Sequence, residues 1–267
     1  CCAHRHSVEI VPAWKRQPTT NADDSHAPIP YGRAVQNRIA FYDLDRTVLA
    51  TPTFTSFLLF AARRDARWRL LMLPIWILAM LAHAMKFYDR DVLKPLGISL
   101  FMGGRIDQSH MQSLASAFAD ARIPNDIQPG ALAAMQADNA NGYILVLATA
   151  APEFYACELG RRMGFQDVLA TRHCRADNGD WLPAILGTNC YRHEKRRRID
   201  RWLVEAGVNS EEADIRFYSD DLSDAPTLEL ANQGFAVNPN RKFARAADLA
   251  GWTIVDFRIA PSGAGER

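Results

Sequence analysis

Residues Ile39–Leu49, IAFYDLDRTVL, pose the question that decides the fold. An apolar run ends in two aspartates one residue apart, Asp43 and Asp45. Carboxylates are costly to bury unpaired, so the pair either faces water at a loop or flanks a cation. In extended chain, side chains at i and i+2 point the same way. Two carboxylates on one side of a strand end offer oxygen ligands to a hard cation such as Mg²⁺. They also place a nucleophile beside a proton carrier. A solvated turn after a strand is the plain alternative.

Working outward, Tyr143–Leu147 and Ile215–Tyr218 read as further short buried strands, followed by Thr149 and by the acidic cluster Asp220, Asp221 and Asp224. Gly234–Val237 and Trp252–Val255 read as two more. Helix-like segments lie between most of them, which predicts a mostly parallel sheet covered on both faces. Ligands bind at the carboxyl edge of such sheets, so the polar residues there should converge. The long stretch between the first two strands reads as helical over Phe54–Arg63, Trp68–Phe87, Gln108–Asp120 and Gln128–Asp138, a cap over the strand ends. Asn178 and Gly179 predict a small β-hairpin between Ala170 and Thr188.

Each further motif has a chemical and a structural reading. Thr149 precedes Pro152, a helix-start signal, and a hydroxyl near a helix N-terminus suits phosphate; a capping threonine reads the same way. Asp221 suits an N-cap for a helix near Leu222, which leaves Asp220 and Asp224 unexplained. Lys195 lies in the basic run CYRHEKRRRIDRWL, Cys190–Leu203. On a helix it shares a stripe with Ile199, Trp202, Leu203 and Ala206, whereas Arg196, Arg197 and Arg201 fall largely off it. A lysine at the end of a buried stripe needs an acidic or phosphate partner.

Two acids, a hydroxyl, a lysine and more acids, in that order, resemble the haloacid dehalogenase-like (HAD) hydrolase superfamily. The resemblance spans about Arg38 to Phe257 and is closest to the branch that contains phosphoserine phosphatase. Asp43, Asp45 and Thr47 resemble the family's first motif, Thr149 its second, Lys195 its third and Ser219–Asp224 its fourth. Gly187–Lys195 and Val237–Asn240 are also similar to that branch. The resemblance implies an α/β fold, a three-layer Rossmann-like parallel-sheet core with an inserted all-helical cap and a small β-hairpin. The core would comprise 38–53 and 140–257, the cap 54–139, with a disordered leader at 1–37 and a tail at 258–267. It implies that Asp43 attacks phosphorus and that Asp45 moves the proton. Thr149 and Lys195 would hold the phosphoryl oxygens. Mg²⁺ would sit on the Asp43 carboxylate, the Asp45 carbonyl and Asp220, supported by Asp224. The implied activity is a Mg²⁺-dependent phosphatase acting on a small phosphate monoester through an aspartyl-phosphate. A phosphotransferase, a phosphatase of lipid-like phosphates at the membrane surface and a non-catalytic membrane adaptor of the same fold are the alternatives. Leu49–Phe54 carries no acid where phosphoserine phosphatases carry a glutamate, Asp221 stands where the family usually has Gly or Ser, and Thr149 replaces that branch's usual serine.

Composition bounds the rest. The 267 residues allow one large domain or two, and a net charge of +1 gives no overall field that draws the chain to nucleic acid or anionic lipid. Five irregularly spaced cysteines argue against a disulfide framework and for a cytoplasmic setting. Cys1, Cys2, His4 and His6 lack a second ligand pair at zinc spacing. Leu70–Met85 is apolar on nearly all faces and flanked by Arg63, Arg64, Arg67 and Arg69 before and Lys86, Arg90 and Lys94 after. As a helix it spans about 24 Å, short of the roughly 30 Å of a bilayer core. It reads first as a cap helix buried against neighbours or a dimer partner; contact with a membrane surface or a greasy substrate, and a true span, are the other readings.

Overall fold

In the computed structural model, which describes residues 37–259, β1 (Arg38–Tyr42) is the central strand. Its side chains alternate between two cores, as the period of two requires. Ile39 and Phe41 pack on one face, where Phe41 meets Trp202 edge-on at 5.6 Å. Ala40 and Tyr42 pack on the other, and Tyr42 stacks on Tyr218 at 4.3 Å. A strand buried on both faces is a continuous apolar run, which is why Ile39–Tyr42 reads so plainly in the sequence.

The other strands are β2 (Ile144–Pro152), β3 (Asp167–Thr171), β6 (Asp214–Ser219), β7 (Gln233–Val237) and β8 (Thr253–Val255). They join β1 in the parallel order β3-β2-β1-β6-β7-β8. Helices α6 (Glu153–Met163), α7 (His193–Glu205) and α9 (Arg241–Ala250) cover the sheet, and the short α8 (Ala225–Leu228) follows the acidic cluster. Strands β4 (His173–Arg175) and β5 (Trp181–Ile185) form the predicted hairpin. The Gly179 N–H donates to the Ala176 carbonyl at 2.8 Å and Gly179 has φ +86°, a conformation that favours glycine.

Between β1 and β2 lie α1 (Phe54–Asp65), a 3₁₀ turn (Arg67–Met72), α2 (Leu73–Ala84), α3 (Arg90–Phe101), α4 (Gln108–Asp126) and α5 (Pro129–Ala140). The expected helix Trp68–Phe87 is broken. Pro74 occupies the first turn of α2, where its missing N–H costs nothing, so it starts a helix rather than kinking one. Helix α3 is not evident from the sequence, because Pro95 and Gly97 interrupt it. Gly97 is required there: an added Cβ would lie 2.8 Å from both Leu58 Cδ1 and the Trp76 ring. The edge strand β3 also escapes the sequence reading, and β2 runs past Leu147 as far as Pro152. A register irregularity between Ala148 and Pro152 carries it around the Thr149 corner.

The insert is not uniform. The last helix, α5, flanks the sheet: Tyr42 Oη donates to Asp138 Oδ2 at 2.5 Å, and Arg216 also binds that carboxylate. Leu70–Met85 is not buried within the chain, since only Trp76 and Ala79 of α2 face inward. The expectations for the leader, for Cys1–His6 and for most of the C-terminal tail lie outside the described residues.

Candidate active site

The strand ends converge as the sheet rule requires. Asp43 follows β1, Thr149 lies in β2 and Asp220 follows β6, and these are neighbouring strands. Together with Asp45, Lys195 and Asp224 they line one cavity of about 280 Å³. Thus the structure brings all six sequence-predicted residues together.

Lys195 is the hub. It is 2% exposed, on the buried stripe of α7 with Ile199, Trp202 and Leu203. Its Nζ donates to Asp43 Oδ1 at 2.8 Å and to Asp224 Oδ2 at 2.5 Å. Burial opposes its charge, but Asp224 and Asp43 outweigh burial and hold its pKa above the ordinary lysine value. Lys195 is a cation at neutral pH. Removing one partner of such a buried pair strands the other, at a cost of about 3–5 kcal/mol.

Asp43 is held by its neighbours. Its N–H donates to the Tyr218 carbonyl at 2.9 Å, which ties the end of β1 to β6. Burial raises its carboxyl pKa; Lys195 pulls it down, and Asp224 and Asp220 push it up further. Thr47, fully buried, bridges the two strand ends: its Oγ1 accepts from the Asp220 N–H at 3.0 Å. Burial, then Asp221, push Asp220 up to about 7, with Arg46 opposing. Asp224 accepts from Lys195 and from Ser219 Oγ (2.8 Å) through Oδ2. Its Oδ1 is buried with no hydrogen-bond partner. Asp221 takes the capping role: its Oδ1 accepts from the Ser223 N–H at 2.7 Å.

Asp45 is oriented from the cap side. Its Oδ1 accepts from the Thr53 N–H at 2.8 Å and from Thr53 Oγ1 at 2.7 Å, and burial raises its pKa. Thr149, 1% exposed, accepts the Ala151 N–H at 3.0 Å, which turns the chain at the cavity wall.

The donor set of the cavity is oxygen, the kind Mg²⁺ prefers. Among the described residues, no three Asp, Glu, His or Cys side chains close on one point as a ready-made cage. Crowded carboxyls with raised pKa values and an orphaned buried Asp224 oxygen nevertheless fit a hard cation, and Mg²⁺ takes only one or two carboxylates and keeps waters.

Sequence reasoning missed Lys94, which stands in the basic flank of Leu70–Met85 with no motif around it. It projects from α3 into the cavity wall, 6% exposed. Its Nζ binds the Ala150 carbonyl, Asn189 Oδ1 at 2.5 Å and Thr171 Oγ1 at 3.4 Å. These acceptors are neutral, so burial, and then Arg90, bring its pKa down to about 7. Lys94 bolts a cap helix to the ends of β2 and β3 and to Asn189, ahead of Lys195. Arg46 sits beside Asp43 and Asp45 with φ +62°, a left-handed conformation costly for a side-chain-bearing residue.

The geometry is that of a hydrolase built on strand-end carboxylates. The model of the haloacid dehalogenase-like hydrolases matches residues 40–229, and the chain belongs to that family. Phosphoserine phosphatase SerB1 of Mycobacterium tuberculosis is 26% identical over 261 residues, covering 92% of this chain and 83% of that protein. Protein CicA of Caulobacter vibrioides is 28% identical over 192 residues, covering 72% and 82%. A solved protein of unknown function from Bordetella pertussis superposes with a TM-score of 0.73 at 24% identity, over 82% of this chain and 98% of that one. A phospho-aspartyl intermediate analogue of phosphoserine phosphatase superposes with a TM-score of 0.55 at 12% identity, over 84% and 94%. Both likenesses are of fold.

Proposed function

We propose that the protein is a Mg²⁺-dependent phosphatase that hydrolyses a small phosphate monoester through an aspartyl-phosphate on Asp43. The observation that carries this reading is the Lys195 bridge between Asp43 and Asp224 in a cavity shared with Asp45. It holds Asp43 Oδ1 and leaves Oδ2, which accepts only a long 3.5 Å hydrogen bond from Thr47 Oγ1, to react.

In the first step an Asp43 oxygen bonds to phosphorus. The ester P–O bond breaks, and the leaving oxygen takes a proton from Asp45. The raised pKa of Asp45 suits it to hold that proton. In the second step Asp45 takes a proton from water, whose oxygen bonds to phosphorus as the Asp43–phosphorus bond breaks. Lys195 and Thr149 hold the phosphoryl oxygens, and positioning with charge neutralisation is most of what phosphoryl transfer needs. Asp43, Asp220 and the Asp45 carbonyl would hold Mg²⁺, which neutralises charge on the transferring group. The free thiols Cys157, Cys174 and Cys190 suit a reducing, cytoplasmic setting.

The cavity also limits the substrate. Its cap wall presents His83, Arg90 and Lys94, and its acids all belong to the core. A substrate ammonium beyond the phosphate would meet cations there, which disfavours phosphoserine. Hydrolysis of para-nitrophenyl phosphate should require Mg²⁺ and should fall on the order of 10⁴-fold or more in Asp43→Asn, which keeps the shape and loses the nucleophile. Turnover that survives in Asp43→Asn would refute the assignment.

A further inference from the structure

The outer face of the cap departs from the pattern of a water-facing helix. A helix at a water-facing surface places polar residues outward. Helix α2 turns Trp76 inward onto Phe101 and Gly97. Its opposite face carries Ile77, Leu78 and Leu81, with Met85 just beyond, and these are 53–68% exposed. Leu71 and Trp68 on the preceding turn, and Phe87 after the helix, extend the patch at 74, 62 and 73% exposed. The one polar side chain of α2, His83, faces away from it and bonds through Nδ1 to the Tyr88 carbonyl at 2.8 Å. So much contiguous apolar surface marks an interaction site.

Charge selects the occupant. No acid occurs between Ala66 and Tyr88. Arg63, Arg64, Arg67 and Lys86 flank the patch, exposed, and among the described residues none of the four forms a salt bridge within 4.0 Å. A second copy of the chain docked by two-fold symmetry would set these cations against their own images. An anionic lipid surface instead accepts both the apolar face and the basic rim. The stretch Arg67–Ala84 is long and apolar enough to cross a bilayer. However, Trp76 and Ala79 are packed into the cap, and spanning would pull both out of it.

We infer that this face docks the protein on an anionic phospholipid bilayer, lying on the surface rather than through it. His83 at the end of α2 and Arg90 at the start of α3 both line the Asp43 cavity.

The test is flotation of the full chain with phosphatidylcholine vesicles containing about one-third phosphatidylglycerol, against pure phosphatidylcholine. Wild type should float with the anionic vesicles, less with the neutral ones, and less as salt rises. The double variant Ile77→Glu/Leu81→Glu should lose at least about tenfold in vesicle binding, since two apolar side chains no longer insert. Both positions are exposed, so its thermal midpoint should match wild type, a control independent of phosphatase activity. Wild type that does not float, or a double variant that floats equally well, would overturn the inference. So would a solution dimer that the double variant splits while neither form binds vesicles, which would assign the face to a second copy.

Discussion

The strand-end cavity and the outer face of α2 invert each other. The cavity buries charge that the chain itself partners: Lys195 is 2% exposed and holds two carboxylates. The α2 face exposes apolar side chains that the chain leaves uncovered, Leu78 at 66% and Met85 at 68%. Burying charge is tolerable only with close partners, and exposing contiguous apolar surface is tolerable only when something else covers it. The first region meets most of its charge within the fold and leaves one Asp224 oxygen for a cation; the second points wholly outside it.

The largest effect should come from breaking the cavity's internal pairing. Lys195→Met leaves Asp43 and Asp224 buried without their cation. Activity should fall on the order of 10³-fold or more, and stability should drop by about 3 kcal/mol, read by denaturant unfolding. A variant of normal stability would show that the carboxylates find another partner. Lys94→Met should act more gently. Its charge has only neutral acceptors, so removing it relieves a desolvation cost while unbolting α3 from the core. The Michaelis constant should rise about tenfold with little change in the thermal midpoint, the signature of lost positioning rather than lost chemistry.

A smaller effect tests the metal reading by pH. Asp220 is raised to about 7 in the folded chain, against an ordinary value near 3.8. Between those values the folded protein keeps a proton that the unfolded chain has released. The contribution of Asp220 to stability is therefore full below the lower value and is lost as pH rises through about 7. A cation that needs the ionised carboxylate restores it. Mg²⁺ should raise the thermal midpoint by roughly a few degrees near pH 8 and by almost nothing near pH 5. Equal shifts at both pH values would mean that the carboxyls are not its ligands. The smallest effect sharpens the contrast from the other side: Leu78→Gln should leave para-nitrophenyl phosphate hydrolysis unchanged and stability within about 0.5 kcal/mol.

The legible parts of the site share one property. Asp43, Asp45, Thr149, Lys195 and Asp220 each sit at the end of a buried apolar pattern, so local sequence marks both the element and its polar tip. Lys94 has no such mark. Its helix is interrupted by Pro95 and Gly97, and its partners Ala150, Thr171 and Asn189 come from three distant parts of the chain. The edge strand β3 is too short and too little buried to show period two. The apolar run Leu70–Met85 was visible, but hydropathy alone does not tell a core helix from an uncovered one. That distinction came from where Trp76 and Ala79 find their packing.

Covalent chemistry on Asp43 can be read directly. Acid quenching during turnover of para-nitrophenyl phosphate, followed by fragmentation of the tryptic peptide Ile39–Arg46, would locate the phosphoryl group. One added phosphoryl group is expected on Asp43, absent without substrate and absent in Asp43→Asn. Phosphate on Asp45, or continued turnover in Asp43→Asn with no labelled peptide, would contradict it.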